Sequence, residues 1–205
     1  MSERTAVPRL VVASKNPDKV KEMESIVVHQ GLAGEIVTGM SWPDVDETAT
    51  TIEGNALLKA RTVAAATGLP ALADDTGLEV VALGGEPGVH TARFAGPKAS
   101  YQDNVEKMLV LLDGVVDRRA TFRSVVALVW PDGTEVMAEG RLEGRIAGEA
   151  RGSSGFGYDP IFEVDGVTLA ELHPKIKDRL SHRAMALRAL SEVVLNRRRG
   201  ARPPV

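Results

Sequence analysis

Up to about residue 75 this chain alternates short apolar runs of β character with helical stretches, and that alternation commits it to an α/β fold. Leu10-Val11-Val12-Ala13 reads as a buried strand. Asn16-Pro17 reads as a helix start, because asparagine suits the cap and proline the first turn. Val20, Met23 and Val27 carry that helix to about Gln30 as an apolar stripe at helical spacing. Ile36-Val37 is the next strand, and a second helix over 53–67 is closed by Gly68. Residues 70–74 then read as a strand, with Asp75-Thr76-Gly77 as its end or a turn.

The middle of the chain changes character. A helix over 100–112 buries Val105, Met108, Leu109 and Leu112. Residues 121–130 and 134–142 flank Pro131-Asp132-Gly133, a hairpin signature. Residues 152–157 form a glycine- and serine-rich loop, and Ile161-Phe162 is a short strand. A last helix runs from Ser181 to about Asn196 on Leu187, Leu190 and Val194, leaving a basic, proline-ended tail over 197–205 that is expected to be mobile. Early alternation followed by antiparallel pairing predicts a mixed sheet flanked by helices. There is no internal repeat and no long linker.

The 205 residues and 43% hydrophobic content suffice for one domain or two tightly joined lobes. A net charge of −3 argues against a protein that coats nucleic acid. The absence of cysteine excludes disulfides, thiolate catalysis and thiolate zinc sites, and it fits a reducing cytoplasm. Residues 1–9 lack the apolar core of a signal peptide, and no apolar run is long enough to span a bilayer.

Several stretches carry chemistry. Ser14-Lys15-Asn16-Pro17-Asp18-Lys19 joins a strand to a helix, where backbone N–H groups and the helix dipole suit phosphate; it also reads as a plain capped helix with solvated lysines. Asp74-Asp75-Thr76-Gly77 places two carboxylates side by side, a pairing that asks for solvent or a cation. Mg²⁺ favours one or two carboxylates plus phosphate oxygens and water, whereas the bland alternative is a polar turn. Asp44, Asp46 and Glu47 precede Asn55 and Lys59, which share one helix face. The acids offer a second metal ligand and Lys59 offsets phosphate charge, or the stretch is a solvated loop and a wet helix face. Of four Phe, two Tyr and two Trp, three rings fall in Gly155-Phe156-Gly157-Tyr158-Asp159-Pro160-Ile161-Phe162. Rings between glycines offer platforms for a nucleobase or anchor a turn to the core. Lys177 precedes Ser181-His182-Arg183, where cations in a helix's first turn oppose its dipole unless an anion or base edge answers them. No HExxH, Ser-His-Asp order or dinucleotide glycine fingerprint occurs.

Taken in order, these stretches resemble the inosine/xanthosine triphosphate pyrophosphatases, which clear deaminated purine nucleotides. The resemblance rests on Ser14-x-Asn16-x-x-Lys19, Glu53-Gly54-Asn55-Ala56-Leu57-Leu58-Lys59-Ala60, Asp74-Asp75-Thr76-Gly77-Leu78, Pro87-Gly88-Val89-His90-Thr91-Ala92-Arg93-Phe94, residues 155–162 and Ser181-His182-Arg183. It covers nearly the whole chain. It implies an elongated mixed sheet, two lobes within residues 1–196 with a substrate cleft between them, and a cytoplasmic homodimer that binds neither nucleic acid nor membrane. It implies Mg²⁺-dependent hydrolysis of ITP, dITP and XTP to the monophosphate and pyrophosphate. Asp75 is then general base and metal ligand, and Glu47 assists the metal, with Asp44, Asp46 and Asp74 as other candidates. Ser14, Lys15, Asn16, Pro17, Asp18, Lys19 and Lys59 hold the triphosphate beside Thr76. Phe156, Gly157, Tyr158, Asp159, Lys177, His182 and Arg183 hold the base, so loss of Arg183 is expected to harm ITP use far more than folding. Four positions depart from the family pattern: Ser14-Lys15 stands for Thr-Gly, Gly54 for Glu and His90 for Tyr. Other readings are a pyrophosphatase for other modified nucleotides, a non-catalytic nucleotide-binding protein, and a nucleic-acid module built on the basic tail.

Overall fold

A computed structural model describes residues 7–198. β1 (Val7–Val12) leads through α1 (Pro17–His29) to β2 (Ala33–Ile36), which lies parallel to it with Val7 opposite Ala33. α2 (Ile52–Thr67) follows, ended by Gly68 in the left-handed conformation at φ 67°. β3 (Ala71–Val80) then pairs parallel with β1, with Val11 opposite Ala71.

β3 does not stop at Asp74, as the Asp-Asp-Thr-Gly signal suggests. It continues through Asp75, Thr76 and Gly77 because Leu78 and Val80 are fully buried and Leu78 pairs antiparallel with Gly88 of β4 (Pro87–Gly88). Burial and strand pairing override the local turn preference. The paired acids therefore lie in the middle of a strand.

α3 (Tyr101–Leu111) carries a capping box in which Ser100 and Asp103 satisfy each other's backbone N–H groups. β5 (Arg119–Val129) and β6 (Glu135–Ile146) are joined by the expected turn, where the Trp130 N–H donates to the Thr134 carbonyl at 2.9 Å. β7 (Phe162–Val164) and β8 (Val167–Thr168) extend the sheet by antiparallel pairing. The strand order is β2-β1-β3-β5-β6-β7-β8, with β4 beside β3. The sheet is mixed, as expected.

α4 (Pro174–Leu180) has no counterpart in the sequence pattern. It is short, and its cap is His173, whose Nδ1 accepts the Lys175 N–H at 3.3 Å. α5 (His182–Arg198) runs past the expected end, so residues 197 and 198 are helical; 199–205 of the expected tail lie outside the described residues. No helix among the described residues is long and apolar enough to cross a membrane.

The chain divides into two compact units. The first gathers residues up to Asp75, Ser124–Gly140 and residues from Arg183 on. Its core joins Leu10 and Val12 of β1, Met23, Ile26 and Val27 of α1, Leu72 of β3, and Leu187, Leu190 and Val194 of α5. Leu10, Met23 and Leu187 are fully buried, and truncating one of them to alanine costs about 2–5 kcal/mol. The second unit comprises Thr76–Arg123 and Arg141–His182. Its core includes Phe122 and Phe162, whose ring centroids lie 4.5 Å apart. Arg118 ties its turns together by donating to the carbonyls of Ile146 at 2.8 Å, Ala147 at 2.7 Å and Leu112.

Candidate active site

In the first unit, α1 begins where the sequence indicates. The Asn16 side-chain oxygen accepts the N–H groups of Asp18 at 2.9 Å and Lys19 at 3.4 Å, and Pro17 occupies the first turn. Ser14 Oγ accepts the Asn16 N–H at 3.2 Å. These N–H groups thus serve the cap, and the expectation of open donors for phosphate is corrected: what the loop presents is side chains on a fixed first turn. Asp18 is exposed there, favourably placed for the helix dipole. Lys15 is exposed and pairs with Asp44, also exposed. Lys19 points the other way, its Nζ 3.2 Å from Asp74 Oδ2.

Alternation along β3 separates the two acids. Asp74 falls on the same face as Leu72 and accepts from Arg183 Nε at 2.9 Å. Arg183 also donates through Nη1 to Glu22 of α1. Arg183 is 2% exposed and Asp74 is equally buried, so this is an internal ion network. Burial works against ionisation of Asp74, but Lys19, Arg183 and Lys59 outweigh it and hold the carboxyl well below the usual aspartate range. Burial likewise opposes the charge on Arg183, and Asp74 and Glu22 outweigh it in turn. In this structure Nε and Nη1 of Arg183 are engaged by carboxylates rather than left open for a base. The anions that answer its unfavourable helix position are the protein's own carboxylates.

Asp75 turns toward α2. Its Oδ1 accepts from Lys59 Nζ at 2.9 Å and its Oδ2 from Asn55 Nδ2 at 3.4 Å. The Lys59 ammonium also donates to Glu47 Oε1 at 2.8 Å, so one cation lies between two carboxylates. Burial raises the Asp75 carboxyl above its ordinary value, Lys59 and Lys19 pull it down, and Glu47 adds to the rise. For Lys59, burial favours the neutral amine, but Asp75, Asp74 and Glu47 prevail and hold the ammonium above the usual lysine range. Asp74 is thus a fixed anion, whereas Asp75 is a poorly solvated carboxylate beside movable lysines. Asp46 is exposed and Glu47 half-buried. Of the acids in that loop, Glu47 is the one that joins Asp75 through a shared partner. Asn55 and Glu22 carry no role in the sequence reading, yet both belong to this centre. Glu22 had a signal: it stands three residues after Lys19 on α1, beside the apolar stripe, at 8% exposure.

In the second unit, Asp159 organises the aromatic loop. Its Oδ2 accepts the Phe156 N–H at 2.7 Å and the Lys177 ammonium at 2.7 Å. Gly155 is obligatory here. Its φ is 76°, and a Cβ would lie 2.1 Å from Asp159 Oδ2. Lys177 Nζ lies 4.7 Å from the Phe156 ring centroid, and the Tyr101 ring stands 5.9 Å from it. Phe156 and Gly157 are half-exposed, but Tyr158 and Phe162 are buried. One ring is thus open enough to meet a base, and the other two anchor the turn. Tyr158 donates its hydroxyl to the Thr91 carbonyl at 3.0 Å, and burial pushes its phenol pKa up. His182 is buried and stacked on Phe122 at 4.4 Å and 16°. Thr76 is half-buried in β3.

With this geometry in view, the relationships of the chain are informative. It matches the model of the Ham1 family over residues 10–193. It is 49% identical over 191 residues to the dITP/XTP pyrophosphatase of Methylococcus capsulatus, covering 89% of this chain and 94% of that one. Among solved structures it resembles a HAM1 protein from Coxiella burnetii, with TM-score 0.80 and 42% identity over 91% of this chain and 98% of the other. It also resembles the Ham1 protein of Staphylococcus aureus, with TM-score 0.78 and 36% identity over 92% and 99%.

Proposed function

The chain belongs to the Ham1 family, and from that premise we propose that it hydrolyses ITP, dITP and XTP to the nucleoside monophosphate and pyrophosphate, removing deaminated purines from the nucleotide pool. The observation that carries the chemistry is the Lys59 ammonium held between Glu47 at 2.8 Å and Asp75 at 2.9 Å. Two hard oxygen donors already share a cation there, a donor set that fits Mg²⁺. Glu47 and Asp75 would hold the ion; when bound it neutralises charge on the phosphates.

The chain's own residues account for the rest. Lys59 and Lys19, drawn toward incoming phosphate oxygens, bind the polyanion and steady the charge that grows on the leaving pyrophosphate. Lys15 is released from an exposed pair with Asp44 at little cost. Asp75 accepts a proton from the attacking water, and its weak solvation makes it a better base than an exposed aspartate. The water oxygen forms a new bond to phosphorus as the P–O link between the α and β phosphates breaks, and the monophosphate and pyrophosphate leave. Asp74 stays ionised and fixes Arg183.

In the second unit, Phe156 is the face for the base, and the Lys177 ammonium, positioned by Asp159, donates to an acceptor such as the 6-oxygen of hypoxanthine or xanthine. Adenine presents an amino donor at that position and is rejected. Sites built on such hydrogen bonds discriminate by on the order of 10⁴. The same reading makes the protein a cytoplasmic homodimer.

One assay tests the core claim. The protein is incubated with Mg²⁺ and inosine, xanthosine, adenosine or guanosine triphosphate, and pyrophosphate is separated from orthophosphate. Pyrophosphate from the first two is expected; orthophosphate as the product, or equal use of all four, sinks the proposal.

A further inference from the structure

Asn55 is fully buried in the first turns of α2, a position where asparagine is a poor helix former. Its side chain is engaged at both ends. The oxygen accepts the Ala49 N–H at 3.0 Å, and the amide nitrogen lies 3.4 Å from Asp75 Oδ2. The first contact dictates the second. A backbone N–H only donates, so the oxygen must face Ala49 and the NH₂ must face the carboxylate. One turn further on, Lys59 takes the other carboxylate oxygen at 2.9 Å. Asp75 is therefore gripped at both oxygens by one helix, which sets the plane of its carboxyl group. Ala49 lies two residues after Glu47, so the same amide also pins the loop that brings Glu47 to Lys59. Gly54 lets the loop come this close: a Cβ there would lie 2.6 Å from Ala49 Cβ.

We infer that Asn55 is a positioning residue for hydrolysis, orienting the Asp75 carboxylate through its NH₂ and fixing the loop of Glu47 through its oxygen. This inference rests on the reading of Asp75 as the base.

The test compares Asn55→Asp, Asn55→Ala and Gly54→Ala with wild type and Asp75→Asn. It reads kcat and KM for ITP, the melting temperature, and amide exchange at Ala49. Asn55→Asp keeps the volume and the acceptor for Ala49 but loses the donor. It should leave Ala49 protected and KM within about threefold. Its kcat should fall by about 10- to 100-fold, as expected for a misplaced reacting group. Asn55→Ala should lose kcat and the protection of Ala49 together. Gly54→Ala, which leaves the side chains of Asn55 and Asp75 unaltered, should speed exchange at Ala49 and lower kcat, and it serves if the Asn55 variants do not fold. A folded Asn55→Asp with wild-type kcat, or losses that track only the unfolded fraction, overturns this inference alone. A wild type that releases no pyrophosphate, or an Asp75→Asn variant as active as wild type, overturns the underlying reading and this inference with it.

Discussion

The polar centre of the first unit and that of the second are built on opposite plans. The first is a lattice of charges brought together from remote parts of the chain. Arg183 meets Asp74 across 109 positions and Glu22 across 161. Asp74, Arg183 and Lys59 are kept charged there by their neighbours against the cost of burial. The second is local, with Asp159 satisfying Phe156 three positions away and Lys177 eighteen away. Its more open part is a ring braced by a cation. A lattice of mutually compensating charges is costly to break at any node, whereas a braced loop loses function when its surface changes and stability only when its anchors do.

The largest expected effect lies at Asp75, the group of the first centre that the proposed reaction uses as its base. Asp75→Asn should lower kcat by on the order of 10²–10⁴, the usual worth of a general base, while the protein stays folded. The sign of its stability effect follows from burial. The folded carboxyl titrates above the ordinary 3.8, so its contribution to stability is present in acid and lost as pH rises through the folded value. At pH 7 the Asn variant should melt no lower than wild type, and the two curves should converge in acid. A variant that melts far below wild type at neutral pH would make Asp75 a structural node like its neighbour.

Arg183→Ala should behave in the contrary way. It strands Asp74 and Glu22 as buried charges, at about 3–5 kcal/mol, read by urea denaturation. Full stability with selective loss of ITP use would restore Arg183 to base recognition and dissolve the contrast between the two centres.

In the second unit the effects divide between surface and anchor. Phe156→Ala should weaken ITP binding by about 1–3 kcal/mol, the worth of base stacking, with little change in melting. Tyr158→Phe removes the hydroxyl bond to Thr91 and should cost about 0.5–1.5 kcal/mol of stability, with KM unchanged. A Tyr158→Phe variant with impaired KM would move that ring from anchor to surface. Smallest of all, Asp44→Ala removes an exposed pair with Lys15 and should leave the melting temperature almost unchanged. A larger loss would show that the first unit's lattice extends to its rim.

The same contrast explains what the sequence made legible. The Asn16-Pro17 cap, the Gly68 stop and the turn at residues 131–133 depend on neighbours a few positions away, and the structure has them where the pattern puts them. The passage of β3 through Asp75 was hidden because its cause is pairing with β4 and burial of Leu78, which a local Asp-Thr-Gly signal cannot convey. The partner of Arg183 was hidden for a related reason. Sequence exposes the anomaly of a cation at a helix start, but the same anomaly is relieved equally by a ligand or by a carboxylate folded in from elsewhere. Asn55 and Lys59 were visible as one helix face, and their convergence on a single carboxylate was not.

The multiple engagement of Asp159 bears on how such a protein can diverge. One carboxylate excludes any side chain at Gly155, holds the Phe156 amide and places the Lys177 ammonium. A mutation at any of these positions meets the other partners at once, so they are inherited as a block. The Phe156 ring is the less buried part of that block, and on the proposed reading drift in base preference has its easiest path through the identity of that one side chain.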